Sequence, residues 1–165
     1  MYTPLPTPEE MGLWDRLSIE DFGIYGEILM ENASRQAFSV LLSHVDKVRD
    51  KNIVLFAGSG NNGGDAFALA RHLHNAGARP LVLYTRDLTQ YKGETAYHLG
   101  LSQKAGVPLA YLPEYNLDSL PVPDIIVDGL LGTGFQGNLR ADYQQWIQKI
   151  NNLKYKAFIL SLDIP

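Results

Sequence analysis

The chain has 165 residues, of which 45% are hydrophobic and 19% charged, with a net charge of -4 and no cysteine. A chain of this length forms one domain and buries enough surface to fold without disulfides. The absence of cysteine excludes thiolate nucleophiles, Cys-ligated zinc and iron–sulfur clusters. No signal peptide, membrane span or broad basic surface is evident, so we expect a cytoplasmic protein that binds neither membranes nor nucleic acid.

Apolar runs alternate with helical stretches along the chain. After an N-terminal arm or short helix over residues 1–24, helical spacing predicts a helix from about Tyr25 to Arg49. The predicted elements that follow are strand 53–57, helix 64–75, strand 80–84, helix 89–105, strand 109–112, strand 124–128, helix 141–152 and strand 157–162. This alternation predicts an α/β fold with a doubly wound, mostly parallel sheet and helices on both faces.

Ligands bind such sheets beyond the carboxyl ends of the strands. The segment Gly58–Asp65 follows a predicted strand there and fits the pattern G-x-G-x-x-G, which lets backbone N–H groups approach a phosphate. An ordinary Asn-Gly turn explains the same residues. Because no Gly-Lys-Ser/Thr follows, a triphosphatase loop is disfavoured. Asp87, after the second strand, fits either a ribose ligand or a helix cap.

Two further carboxylates follow predicted buried strands. Asp128 ends one strand and precedes the glycine-rich segment Gly132–Asn138, a candidate second cradle for phosphate. A carboxylate in that position needs a partner or a cation unless it caps a loop. Asp163 ends the last strand and is a candidate general acid and base, although it could equally cap a turn.

Four blocks together resemble the YjeF N-terminal domain family, the NAD(P)H-hydrate epimerases. They are Met30–Ala33, then Gly58–Asp65 with Ala70–Leu73, then Asp128–Gly134, then Asp163–Pro165. The resemblance implies a Rossmann-like, three-layer α/β/α domain that interconverts the R and S forms of hydrated NADH and NADPH. It further implies a partner dehydratase, either separate or once fused C-terminally, that completes the repair of these damaged cofactors.

The resemblance also implies roles for individual residues. Asp163 is the expected catalytic residue and contacts the altered nicotinamide ring, while Asn62 and Asp128 help to hold one potassium ion per subunit. The expected contacts with the hydrated nucleotide are Asn61, Asn62, Gly63, Gly64, Asp65, Gly132, Thr133, Gly134, Phe135, Gln136, Gly137, Asn138 and Asp163. The same family contains non-catalytic modules that bind nucleotides, RNA or proteins, and such a module is the alternative function.

Family members continue the sequence Asp-Ile-Pro with Ser-Gly and more sheet, whereas this sequence stops at Pro165. We therefore expect a C-terminally truncated domain, either as a fragment of a longer chain or as a shortened domain, in which a further potassium ligand and the last strands are missing. A missing strand exposes a sheet edge, which can pair with another chain. The sequence accordingly predicts self-association as a homodimer.

Overall fold

Five parallel strands form the centre of the computed structural model, which describes residues 6–163. The strands are β1 (Asn52–Ala57), β2 (Arg79–Tyr84), β3 (Leu109–Tyr111), β4 (Ile125–Gly129) and β5 (Phe158–Ser161). Their spatial order is β3-β2-β1-β4-β5, so the direction of winding reverses between β1 and β4. The predicted doubly wound α/β fold is confirmed, and a ligand is expected at this reversal.

Five α-helices surround the sheet: α1 (Pro8–Glu20), α2 (Gly26–His44), α3 (Asn61–Asn75), α4 (Gly93–Lys104) and α5 (Ala141–Asn152). Helices α2, α3 and α4 share one apolar cluster with Leu55 and Val127 of the sheet. Helix α5 packs on the other face, where Trp146 and Ile150 meet Val54, Phe56 and Ile126. Alternating residues of each strand thus serve opposite faces, as a sheet covered on both sides requires.

Two predicted helices have different bounds in the structure. The helix expected to reach Arg49 ends at His44, because Val45 is extended, with φ -128° and ψ 138°. Val48 continues the apolar spacing beyond this end, and its side chain is buried although it lies in the loop after α2. The helix expected over 89–105 is a single 3₁₀ turn, Leu88–Gln90, followed by α4, since Gly93 has a φ of 56° that a continuous helix does not allow.

Helix α1 is formed by the segment predicted as an arm or short helix. Two reciprocal hydrogen bonds between Thr7 and Glu10 cap its N-terminus. The Thr7 hydroxyl accepts a hydrogen bond from the backbone N–H of Glu10 at 3.2 Å, and the Glu10 carboxylate accepts one from the N–H of Thr7 at 2.7 Å. Such a capping box stabilises a helix by about 1 kcal/mol. No residue of α1 is buried, so local interactions account for much of its stability.

An ion-pair cluster joins α2 to α3. The Glu31 carboxylate accepts a short hydrogen bond from the Arg71 guanidinium, and its other oxygen lies 3.0 Å from Nε2 of His72. Burial lowers the pKa of His72, while the charge of Glu31 opposes that shift. This contact joins two of the quoted sequence blocks, because one supplies Glu31 and the other supplies Arg71 and His72.

No helix within residues 6–163 is long and apolar enough to cross a membrane.

Candidate functional site

The first glycine-rich segment is mostly the start of a helix rather than a loop. Gly60 is the N-cap of α3, so Asn61, Asn62, Gly63 and Gly64 occupy the first turn, whereas the sequence predicted a helix from about residue 64. The N-terminus of α3 therefore lies directly after β1, at the carboxyl edge of the sheet. Its first N–H groups and the positive end of the helix dipole favour an anionic group there.

Close packing accounts for two glycines of the G-x-G-x-x-G pattern. A Cβ on Gly58 would lie 2.0 Å from the carbonyl oxygen of Leu130, and a Cβ on Gly63 would lie 2.0 Å from that of Gly58. Gly64 faces away from this edge, because its Cβ would meet Met30 of α2 and Thr95 of α4. The pattern therefore marks tight contact between two loops and the start of α3.

A cavity of about 470 Å³ lies at this edge of the sheet. It combines the start of α3, the β4–α5 loop, Tyr143 of α5 and Asp163, and one face of α1 forms its outer wall. The lining residues are Pro8, Met11, Gly12, Asp15, Ser59, Gly60, Asn61, Asn62, Leu130, Leu131, Gly132, Thr133, Gly134, Phe135, Tyr143 and Asp163. Three separate parts of the predicted site thus come together here.

The contribution of α1 to the cavity is not evident from the sequence. Met11, Gly12 and Asp15 belong to one helical face, but α1 lies far in sequence from every motif that indicated a site. Its amphipathic pattern alone does not distinguish a cavity wall from a helix that packs on the core.

Asp163 directly follows β5 and faces the β4–α5 loop. Its Oδ2 atom accepts a hydrogen bond from the backbone N–H of Thr133 at 2.7 Å. The same oxygen lies 2.6 Å from the position that a Cβ on Gly132 would take, so only glycine at 132 allows this approach. Asp163 is therefore held in one orientation at the wall of the cavity. Ile164 and Pro165, which complete the quoted motif, lie outside the described residues.

Asp65, predicted as a substrate contact, does not line the cavity. It is partly buried on α3, and burial, followed by the negative charges of Asp163 and Asp15, raises the pKa of its carboxyl group to about 7. One of these charges comes from α1 and the other from the end of β5. The structure thus brings three carboxylates together from distant parts of the chain.

Asn62 and Asp128, the predicted potassium ligands, are both tied to the start of the β4–α5 loop. Asn62 Nδ2 donates a hydrogen bond to the carbonyl of Leu131 at 2.5 Å, and the Asp128 carboxylate accepts one from the N–H of Leu130 at 3.1 Å. Burial raises the pKa of Asp128, and the bond from Leu130 opposes that shift.

The donor set fits a monovalent cation. Asn62 is only 8% exposed, and its Oδ1 atom has no hydrogen-bond partner among residues 6–163. A buried oxygen without a hydrogen-bond partner is the kind of ligand that an oxygen-seeking cation stabilises. No group of three or more His, Asp or Glu side chains in the described part of the chain could hold a metal ion.

The rest of the predicted nucleotide-binding segment lies beside the main cavity. Gln136 and Asn138 line a second cavity of about 250 Å³, which shares Leu131, Phe135 and Tyr143 with the first. Gly137 lines neither cavity and has a φ of 88°, a backbone conformation that favours glycine in a turn.

Asp87, the candidate ribose ligand, lines neither of these two cavities. Its carboxylate accepts a hydrogen bond from the N–H of Thr89, which favours the capping interpretation.

The family model for the YjeF-related protein N-terminus matches residues 26–165. The chain belongs to the YjeF N-terminal family. Its similarity to NAD(P)H-hydrate epimerase of Rhodopirellula baltica is 36% identity over 152 residues, covering 92% of this chain and 60% of that protein. NAD(P)H-hydrate epimerase of Nitrosopumilus maritimus is 35% identical over 147 residues, covering 88% of this chain and 66% of that protein.

Longer YjeF relatives carry two activities in their names. The bifunctional NAD(P)H-hydrate repair enzyme Nnr of Moorella thermoacetica is 37% identical over 167 residues, covering 98% of this chain and 31% of that protein. The chain thus spans less than two thirds of the length of these curated relatives. A crystal structure of yeast ynu0, YNL200c, superimposes with a TM-score of 0.82 at 23% identity, covering 99% of this chain and 71% of that one, which supports the fold.

Proposed function

We propose that the protein is an NAD(P)H-hydrate epimerase, which interconverts the R and S forms of hydrated NADH or NADPH. The observation that carries the proposal is the fixed Asp163 carboxylate at the wall of a cavity that also contains the start of α3. Relatives named for this activity match most of the chain. The helix N-terminus suits a phosphate, and the carboxylate suits the hydroxyl on the damaged ring.

In the proposed mechanism, the carboxyl group of Asp163 acts as the general acid and transfers a proton to the hydroxyl at C6 of the ring. The C6–O bond breaks, water leaves, and the N1 lone pair forms an N1=C6 double bond that carries a positive charge. Water then adds to C6 from the other face and releases a proton to solvent, and the Asp163 carboxylate takes up a proton from solvent to complete the cycle. The carboxylates of Asp163 and Asp15 stabilise the cationic ring electrostatically, because both line the same cavity.

The test is conversion of R-form hydrated NADH to the S form, followed by chromatography against the spontaneous rate. Acceleration that is proportional to protein concentration supports the epimerase. Absence of acceleration, together with binding of the hydrated dinucleotide, would instead support the alternative of a non-catalytic binding module.

Potassium binding at Asn62 and Asp128 is a separate part of the proposal. The ion would supply positive charge at the end of β4 and fix the loop that holds Asp163. We expect potassium chloride, but not tetramethylammonium chloride at equal ionic strength, to raise the free energy of unfolding. At a potassium concentration ten times the Kd, the gain is about 1.4 kcal/mol.

The variant Asn62→Ala should lose this potassium-dependent stabilisation in thermal unfolding. Asn75→Ala changes the same residue type at the opposite end of α3 and is the matched control, which should respond to potassium like the wild type. An equal response to potassium in wild type and Asn62→Ala would contradict the assignment of Asn62 as a ligand.

We also propose that the protein forms a homodimer in the cytoplasm and works with an NAD(P)H-hydrate dehydratase, as the names of the bifunctional relatives suggest. Large apolar side chains of α1 and the segment after it are exposed, including Trp14 at 53%, Phe22 at 79% and Tyr25 at 73%. A large contiguous apolar patch marks an interaction surface, and these side chains are the candidates for such a patch. Sedimentation equilibrium should give twice the chain mass of 18.4 kDa, and a monomer at all concentrations would refute the dimer.

A further inference from the structure

Charges of opposite sign lie at the two ends of the ligand-binding edge of the sheet. Along the order β2-β1-β4-β5, Arg86 lies just after β2, the start of α3 follows β1, and Asp163 follows β5. Neighbouring strands are roughly 4.8 Å apart, so about 14 Å separates the ends of β2 and β5. An extended dinucleotide is long enough to cross this edge from one end to the other.

The second cavity continues the first toward β2. Its lining residues include Arg86 and Arg140 and the amides Gln136 and Asn138, but no Asp or Glu residue. The first cavity, in contrast, is lined by Asp15 and Asp163. A phosphate group is therefore repelled from the β5 end and attracted to the β2 end.

Arg86 is the cation available to a ligand in this second cavity. The Arg140 guanidinium donates two hydrogen bonds to Asp142, which offsets its charge, whereas Arg86 makes no ion pair within the described residues. The carboxylate of neighbouring Asp87 faces its own cap at Thr89 and lines a different cavity.

The backbone that presents Arg86 is fixed. Thr85 donates its N–H to the carbonyl of Ala57 at 3.2 Å, which extends the pairing of β2 with β1. The Tyr143 hydroxyl lies 3.3 Å from Oγ1 of Thr85, and Tyr143 belongs to the wall shared by the two cavities. The backbone at Arg86 is thus held beside the cavity, while Arg86 itself is exposed.

We propose that Arg86, assisted by Arg140, binds the 2′-phosphate of hydrated NADPH and makes the protein prefer this substrate to hydrated NADH. The inference rests on the proposed function, which puts the altered nicotinamide ring at Asp163 and so directs the adenosine half toward β2. An arginine beside the end of the second strand is suited to a 2′-phosphate, which it binds through paired N–H donors.

The kinetic test compares KM for hydrated NADPH and hydrated NADH in the wild type, Arg86→Gln and Arg79→Gln. Arg79 begins β2 at the opposite edge and is paired with Asp50 at 3.5 Å, so its variant removes the same charge from the same strand away from both cavities. We expect the wild type to have about a tenfold lower KM for hydrated NADPH, a preference that Arg86→Gln loses and Arg79→Gln keeps. Since the contact forms before the reaction, kcat should change by less than about twofold.

Equal KM values for the two substrates in the wild type, or an equal rise for both in Arg86→Gln, would overturn the proposal. An equal rise would mean that Arg86 binds the shared pyrophosphate instead. At 0.5 M sodium chloride the preference should shrink, because salt screens an exposed ion pair.

A binding test separates this inference from the proposed activity. Calorimetry should show that adenosine 2′,5′-bisphosphate binds the wild type about ten times more tightly than adenosine 5′-monophosphate, and that only Arg86→Gln abolishes the difference. That result supports the phosphate site even in a protein without epimerase activity. Equal affinities for the two nucleotides would overturn it, whatever the outcome of the epimerase assay.

Discussion

Replacing Asp163 with Asn should slow the conversion of R-form to S-form hydrated NADH by about 100-fold to 10,000-fold, the range for loss of a general acid–base residue. An amide has the shape of the carboxyl group but neither donates nor accepts the proton at the C6 hydroxyl. Its carbonyl oxygen can still accept the hydrogen bond from the N–H of Thr133. The variant should therefore keep the fold and the cavity while it loses the reaction.

The measurement is the initial rate of epimerisation, with binding of the hydrated dinucleotide measured in parallel. Asp124→Asn is the matched control, because Asp124 precedes β4 at the opposite edge of the sheet and is paired with Lys51 at 2.8 Å. This control should retain the wild-type rate. A rate in Asp163→Asn within threefold of the wild type would rule out Asp163 as the acid and base.

Replacing Asp65 with Asn should stabilise the protein above pH 7 and leave its stability nearly unchanged at pH 4. The native state holds the Asp65 carboxyl with a pKa of about 7, against 3.8 for an ordinary aspartate. Between these values the folded protein retains a proton that the unfolded chain releases, so this group reduces the free energy of unfolding as the pH rises. An amide carries no such cost.

A pKa raised this far lowers the free energy of unfolding of the wild type by at most about 4 kcal/mol at pH 8. We expect Asp65→Asn to recover about half of this amount, because Asp65 is only partly buried. Urea unfolding of both proteins at pH 4, 6 and 8 gives the difference directly. The change should have the opposite sign in Asp124→Asn, because hydrogen bonds from Lys51 and Asn52 lower the pKa of Asp124. A difference between wild type and Asp65→Asn that does not depend on pH would contradict the raised pKa.

The strands and α5 were predictable because each is a short apolar run or an amphipathic stretch with clear ends. Helix α5 has the predicted bounds of 141–152, β1 begins one residue earlier than predicted, and β4 is shifted by one residue toward the C-terminus. The break before α4 was not predictable, since the positive φ of Gly93 follows from the path of the chain after β2. Local composition alone does not encode that path.

The motifs predicted the edge of the sheet at which the main cavity lies, but not the contacts made there. Asp163 and Asn62 line one cavity, whereas Gly63 and Gly64 are used in packing. The raised pKa of Asp65 depends on Asp15 and Asp163, which are 50 and 98 residues away in sequence. A motif of adjacent residues does not predict interactions between residues that are distant in sequence and close in space. The contribution of α1 to the cavity is of the same kind.

Helix α1 lines the cavity although none of its side chains is buried, and this would couple two equilibria in the proposed homodimer. A ligand in the cavity would add contacts that hold α1 in place, and a second chain that covered Trp14 and its exposed neighbours would do the same from outside. Each event would then lower the entropic cost of the other. Thermodynamic reciprocity would require substrate to tighten the proposed dimer by the same factor by which the dimer tightens substrate, so that apparent affinity would rise with protein concentration.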